Sequence, residues 1–312
     1  MPRSRLSSPP FLLAVMLLIG MDCSIHGQPK ARSGPPPGAL VDIGGHKLHI
    51  YCVGPVKAGP TVIFESGGGA FSKDWTVVQD LSSRVRTCAY DRAGLGWSEA
   101  GPAPRTMRQE VFELHALLAV AKISSPYVLV GQSMGGLNVR LYTEEYGREV
   151  VGVVLVDPAD ESSMLFSLNA NRWMKLREQA TGRAVPPPKS IGTPSTGYKP
   201  EDDYLGEEAQ LLYLHRKENP QPFGDRPLIV LAAGKRPPPP GMTEESYKEI
   251  RRGRDEELVE MAHLSSNSKF ILDPGSGHNL QLENPQLVAR AIEEVIDAVK
   301  GHTQLTPKAS SQ

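Results

Sequence analysis

A chain of 312 residues, 39% hydrophobic and 22% charged, can hold one large α/β domain with an insertion, or two small domains. A formal net charge of −1 without a basic stripe excludes the electrostatic footprint of a nucleic-acid binder. The three cysteines form no Cys-x-x-Cys, and the chain has no His-Glu-x-x-His, no Gly-x-Gly-x-x-Gly after a strand and no phosphate-binding Gly-Lys-Ser/Thr, so neither a metal nor a cofactor is expected.

Residues 1–27 read as a signal peptide: Arg3 and Arg5 precede an apolar run from Phe11 to Met21. That run is too short to span a bilayer, which takes ~20 residues. The expectation is export to a periplasm or the exterior, with no stable membrane span after cleavage. Cys23 offers lipid anchoring as the minor alternative, against which Asp22 is a poor match to the small residue expected there. Residues 28–38 are a Pro/Gly/basic linker.

Two strand patterns, 40–43 and 47–53, flank Gly44-Gly45 and predict a hairpin. In the second, Leu48, Ile50 and Cys52 share one face, and His46 and His49 are expected at the strand surface. Residues 61–65 form a buried-type strand leading into Ser66-Gly67-Gly68-Gly69. Glycines there free backbone amides to face a ligand, as an oxyanion hole requires. A helix over 75–81, a strand over 86–90 and the Gly-punctuated turn Asp91-Arg92-Ala93-Gly94-Leu95-Gly96 follow. Thr106 and Gln109 form a capping box that opens an amphipathic helix, on whose surface His115 is expected.

The apolar run Val128-Leu129-Val130 then enters Gly131-Gln132-Ser133-Met134-Gly135, with helix-compatible sequence behind it. Strand, tight turn and helix around Gly-x-Ser-x-Gly is the context of a nucleophile elbow. A serine hydroxyl becomes a useful nucleophile when it is held proud of the backbone within reach of a base. Ser133 is therefore the candidate nucleophile, and the backbone amides of Met134 and Gly68 are the candidate oxyanion donors, Gly67 being a second choice. Another apolar run, 150–156, ends in Asp157-Pro158. Apolar strands alternating with helices indicate a parallel sheet covered on both faces.

The rhythm breaks over 159–224, where two helical patterns surround a Pro/Gly segment. This is expected to be a cap inserted into a core made of 39–158 and 225–300, with some of its apolar residues lining a substrate pocket. A strand near 227–232 runs into Gly234-Lys235-Arg236, a charged helix covers about 244–263, and a strand at 269–272 precedes Asp273-Pro274-Gly275-Ser276-Gly277-His278. Asn284 and Pro285 start the last helix, and 301–312 form a loose tail. His278 follows a sheet strand in a Gly-flexed loop and is the leading base; His215 and His263 are worse placed.

The order of these parts resembles the α/β-hydrolase fold family. The resemblance is carried by Gly131-Gln132-Ser133-Met134-Gly135, by Ser66-Gly67-Gly68 where the family commonly has His-Gly-x, by Asp91-Arg92-Ala93-Gly94-Leu95-Gly96 and by Gly277-His278. It implies an α/β fold, a mostly parallel eight-stranded sheet with helices on both faces and an antiparallel second strand, and serine-hydrolase chemistry. It also implies that the second strand lies beside the fourth, which would pair Cys52 with Cys88 in a disulfide. The family usually puts its acid after the seventh strand, where this chain reads Gly234-Lys235-Arg236 without a carboxylate. Asp157 occupies the alternative place at the end of the sixth strand and is the expected orienting acid; Asp160, Glu161, Glu244, Glu245 and Asp273 are the other carboxylates within range.

The function expected is ester hydrolysis on a small-molecule substrate through an acyl-enzyme. Amide, peptide N-terminus or carbon–carbon bond cleavage by the same triad is one alternative. A ligand-binding or sensor protein that retains the fold is the other.

Overall fold

The computed structural model describes residues 37–56, 59–103, 105–161, 205–238 and 243–305. The expected signal peptide, Cys23, nearly all of the linker, residues 162–204 of the expected cap and residues 306–312 of the tail lie outside the described residues.

Eight strands form one sheet: β1 (Ala39–Asp42), β2 (Lys47–Val53), β3 (Thr61–Glu65), β4 (Thr87–Tyr90), β5 (Tyr127–Gln132), β6 (Val150–Val156), β7 (Leu228–Ala233) and β8 (Ser268–Asp273). Their order is β1-β2-β4-β3-β5-β6-β7-β8. β2 runs antiparallel to both β1 and β4, and every other pairing is parallel. Ile43 donates to the His46 carbonyl across the Gly44-Gly45 turn, which closes the first hairpin. The described residues also form seven α-helices: α1 (Thr76–Leu81), α2 (Met107–Val120), α3 (Met134–Glu145), α4 (Leu205–Glu218), α5 (Glu244–Glu260), α6 (Leu280–Glu283) and α7 (Pro285–Gly301).

β5 and β7 are buried along their whole length, which is why their sequences are apolar at nearly every position rather than at alternate ones. Alternation still sorts side chains between the two faces. Leu129, Val153 and Leu155 join α2 and α3 in one core, through Leu114, Leu117 and Leu137. Val128, Val130, Val154 and Val156 join α1 and α7 in the other, through Val78, Val288, Ile292 and Val295. Each such side chain contributes about 1.5–3 kcal/mol by leaving water. Side-chain caps fix where the helices begin: Thr106 Oγ1 accepts from Gln109 N at 3.0 Å, and Asn284 Oδ1 from Leu287 N at 3.2 Å with Pro285 in the first turn.

The reading of His49 as a surface residue fails: it is fully buried. The turn after β4 folds along β2, with Asp91 N donating to His49 O at 3.0 Å and His49 N to Ser98 Oγ at 2.8 Å, so the polar face of the strand is covered by chain. The imidazole sits between two acceptors, Asp91 Oδ2 at 3.0 Å from Nδ1 and the Pro37 carbonyl at 2.6 Å from Nε2. Burial works against its charge, yet these oxygens raise its pKa above the ordinary value. His46, expected beside it at the surface, is half-buried, with Nε2 3.3 Å from Glu113. Cys52 and Cys88 are register partners across β2 and β4, and a disulfide joins them.

Candidate active site

β5 delivers Ser133 to the start of α3 with φ 53° and ψ −122°, a conformation that an L-residue adopts only under strain. Close approach of backbone explains the flanking glycines. A Cβ at position 131 would strike the carbonyl of Gly135, and one at position 135 would strike the carbonyls of Glu65 and Ser66. Ser133 O accepts from Gly136 N and from Ala159 N, each at 2.9 Å, tying the elbow to the chain that leaves β6.

Asp157 follows β6 directly, fully buried, and its Oδ2 lies 2.5 Å from His278 Nδ1. Its other oxygen accepts from Ala233 N at 3.0 Å and from Arg236. Arg254 stands 3.7 Å from Oδ2. Burial works to raise the Asp157 pKa, but the His278 bond and the two arginine charges outweigh it and hold the carboxyl below its ordinary value. At the place after β7 where the resembled family usually carries its acid, Arg236 thus sets a cation that braces the Asp157 carboxylate after β6. Three of the other carboxylates are engaged elsewhere. Glu161 is buried against Arg140 and Arg216, Asp160 faces Arg254, and Asp273 accepts from Ser276 Oγ and Asn284. Glu244 and Glu245 are exposed at the start of α5. His215 and His263 pair with Glu144 and Glu260.

The structure brings His278 to Asp157, while no hydrogen bond joins His278 Nε2 to Ser133 Oγ among the described residues. Nε2 instead meets the Gln132 side-chain amide at 3.3 Å, and the same amide donates to His278 O at 3.2 Å. With Nδ1 donating to Asp157, Nε2 carries a lone pair, which matches an amide donor.

On the other side of Ser133 lies the loop after β3. A Cβ on Gly67 would come within 3.2 Å of the Ser133 Cβ, and one on Gly68 within 3.8 Å of the Met134 sulfur. Ser66, which stands where the resembled family commonly has a histidine, accepts from Trp75 Nε1 at 3.0 Å through its hydroxyl. Beneath the loop is a buried polar cluster. Arg92 donates to Glu65 and to the carbonyls of Ser66 at 2.5 Å and Gly67 at 2.7 Å, and Tyr90 donates to Glu65. Asn138 of α3 bridges Glu65 and Glu110 at 3.3 and 2.8 Å. Burial pushes the Glu65 carboxyl up, with the Arg92 charge pulling the other way. The sequence reading used Asp91-Arg92 and Gln132 as parts of a turn and of motifs that carry the resemblance, and gave neither Arg92 nor Gln132 a role of its own. The available signal was position, since each directly follows or ends a parallel strand.

The sequence profile described as the Alpha/beta hydrolase family matches residues 62–291. The chain is 28% identical over 301 residues to the probable transporter efuK of Hormonema carpetanum, covering 83% of this chain and 42% of that protein. It therefore spans less than half the length of that relative. To the uncharacterized protein YqjL of Bacillus subtilis it is 28% identical over 245 residues, 77% of this chain and 84% of that one. A thermophilic esterase from Thermogutta terrifontis, solved with malate bound, superposes with a TM-score of 0.56 at 20% identity, over 83% of this chain and 97% of the esterase. At that identity the likeness is one of fold.

Proposed function

The chain belongs to the alpha/beta hydrolase family, and from that premise we propose that it is an exported serine hydrolase cleaving a carboxylic ester of a small or medium-sized organic molecule. The observation that carries the reading is the Asp157–His278 pair at 2.5 Å, set at the sheet edge where the strained Ser133 emerges. In a parallel sheet, functional groups gather at the carboxyl ends of the strands.

The mechanism follows from the roles these groups can fill. Ser133 Oγ attacks the ester carbonyl carbon as His278 Nε2 takes its proton, and Asp157 stabilises the imidazolium through Nδ1–H. For this step Nε2 must exchange the Gln132 amide for the serine hydroxyl, a tightening that substrate binding commonly brings. The carbonyl electron pair moves onto oxygen, which the amides of Met134 and Gly68 receive. Collapse expels the alcohol with the proton from His278. Water then attacks the acyl-enzyme by the same route, releasing the acid and restoring Ser133. Export rests on the residue pattern of the first 27 positions; among the described residues no helix is long and apolar enough to cross a membrane.

The Gln132 contact favours one other reading, a ligand-binding protein in which His278 is held away from Ser133. One experiment separates the two. A fluorophosphonate probe and a panel of p-nitrophenyl esters are applied to the mature protein and to Ser133→Ala. The proposal expects labelling, multiple turnover, and a loss of about 10⁶ in kcat in the variant. A variant within tenfold of wild type sinks the assignment, and labelling without turnover on any ester favours the binding protein.

A further inference from the structure

The polar cluster under the loop after β3 has a feature that the proposed mechanism does not use. Arg92 is 4% exposed, and its two terminal nitrogens reach two successive backbone carbonyls, Ser66 O at 2.5 Å and Gly67 O at 2.7 Å. In a trans peptide the carbonyl and the following N–H point in opposite directions. Holding Ser66 O toward Arg92 therefore turns the Gly67 N–H away from it, and holding Gly67 O does the same for the Gly68 N–H. These amides lie on the loop that faces the elbow, where a Cβ on Gly67 would come within 3.2 Å of the Ser133 Cβ.

We propose that Arg92 is the positioning residue of the oxyanion site, orienting and polarising the 66–67 and 67–68 peptides so that their N–H groups stabilise the developing alkoxide. This rests on the serine-hydrolase reading and deepens it. The fork geometry of a guanidinium suits the task, because it presents parallel N–H donors to two acceptors while a lysine presents one point charge. Its own charge is held in place by Glu65 on one nitrogen and by Glu110 at 3.4 Å from Nε. A cation at the carbonyl end of each peptide draws density from the N–H end, so donation strengthens as negative charge develops on the substrate oxygen. The backbone bond from Ala70 N to Gly67 O, at 3.2 Å, helps fix the loop but brings no charge.

The experiment compares the mature wild type with Arg92→Lys, which keeps a cation beside Glu65 and loses the fork. Turnover of p-nitrophenyl butyrate is measured together with inhibition by a trifluoromethyl ketone and by its methyl ketone counterpart. The trifluoromethyl ketone accepts Ser133 Oγ at its carbonyl carbon, passing the serine proton to His278 and leaving an oxyanion; the methyl ketone binds without that bond. The expected result is a fall of about 10²–10³ in kcat, KM within threefold, a matching loss of affinity for the trifluoromethyl ketone, and methyl ketone affinity within threefold. Equal loss for both ketones, or kcat within threefold of wild type, overturns the proposal. If the variant does not fold, the wild type decides. On addition of the trifluoromethyl ketone the amide protons of Gly67 and Gly68 should move downfield in an NMR spectrum, and unmoved resonances overturn the proposal. A wild type that neither labels with fluorophosphonate nor turns over removes the hydrolase reading and this one with it, whereas an active wild type with an indifferent Arg92→Lys removes this one alone.

Discussion

Asp157→Asn tests the proposed acid, because the structure surrounds that carboxylate with donors only. His278 Nδ1, Arg236 and Ala233 N all direct hydrogen toward it, and no solvent reaches it. An asparagine keeps one acceptor oxygen and turns an NH2 group toward one of these partners. If the NH2 faces His278, the imidazole must carry its proton on Nε2, where it cannot accept one from Ser133. The analogous change in a serine protease costs about 10⁴ in kcat, or about 5 kcal/mol of barrier. If the NH2 faces Arg236 instead, the tautomer survives but the imidazolium has lost its counter-charge, so turnover still falls. Stability should also drop, because Arg236 is left largely buried without its carboxylate. Breaking a buried ion pair costs about 3–5 kcal/mol, and the 13% exposure of the arginine side chain moderates this to about 2–3 kcal/mol. The sign in pH follows from the lowered pKa of Asp157: its stabilising charge is fully present above the unfolded value and is lost as pH falls through the folded one. The assay is kcat on a p-nitrophenyl ester beside urea unfolding at neutral pH, with Asp160→Asn as the control for a neighbouring buried carboxylate. Asp157→Asn within tenfold of wild type, with Asp160→Asn inactive, would refute the assignment and leave Ser133 and His278 standing.

Two further outcomes are expected. The Cys52–Cys88 bond closes a loop with a sequence separation of 36, worth about 3–4 kcal/mol on chain-entropy grounds; mass spectrometry should find neither thiol alkylated in folded, unreduced protein, and two alkylated thiols there would show the bond absent from the folded protein. Glu161 is buried against Arg140 and Arg216, which outweigh its desolvation and bring its pKa from the ordinary 4.5 to about 2, a gap of about 3 kcal/mol. That contribution is complete above pH 4.5 and fades as pH falls toward 2, so the stability deficit of Glu161→Gln, read by urea unfolding, should be several kcal/mol at pH 7 and clearly smaller at pH 3.5; a deficit independent of pH would contradict it.

The strands, the elbow and the Asp-Pro that ends β6 could be read from the sequence because each is local, whereas the strand order pairs distant segments and was implied only by the family resemblance. An apolar run, a Gly-x-Ser-x-Gly and an Asp-Pro announce themselves within ten residues, and a parallel sheet converts such segments into neighbours. His49 could not be read that way. The alternation of β2 puts it on the polar face, and an alternating strand commonly turns that face to water. Here the turn after β4 and the Pro37 carbonyl cover it, and neither contact leaves a periodic trace. Arg92 escaped for a related reason. Its partners Glu65 and Glu110 come from the end of β3 and from α2, and Asn138, which bridges those two carboxylates, comes from α3; none is marked by its neighbours in sequence.

What links the residues that were found with those that were missed is where the parallel strands stop. β3 ends in Glu65, β4 runs into Asp91 and Arg92, β5 into Gln132 and Ser133, β6 into Asp157, β7 toward Arg236 and β8 into Asp273. The segments leading to these ends are largely apolar and carry the packing, so the polar side chains that follow them gather at the carboxyl edge of the sheet. Sheet order then brings some of these ends together: β3 beside β4 pairs Glu65 with Arg92, and β6 beside β7 pairs Asp157 with Arg236. Burying such charges yields little net stability, since the desolvation of each ion costs several kcal/mol before pairing returns it. Their effect is orientation. Arg92 fixes two peptide planes and Arg236 braces one carboxylate, which sets the donors and acceptors around Ser133 before any substrate arrives.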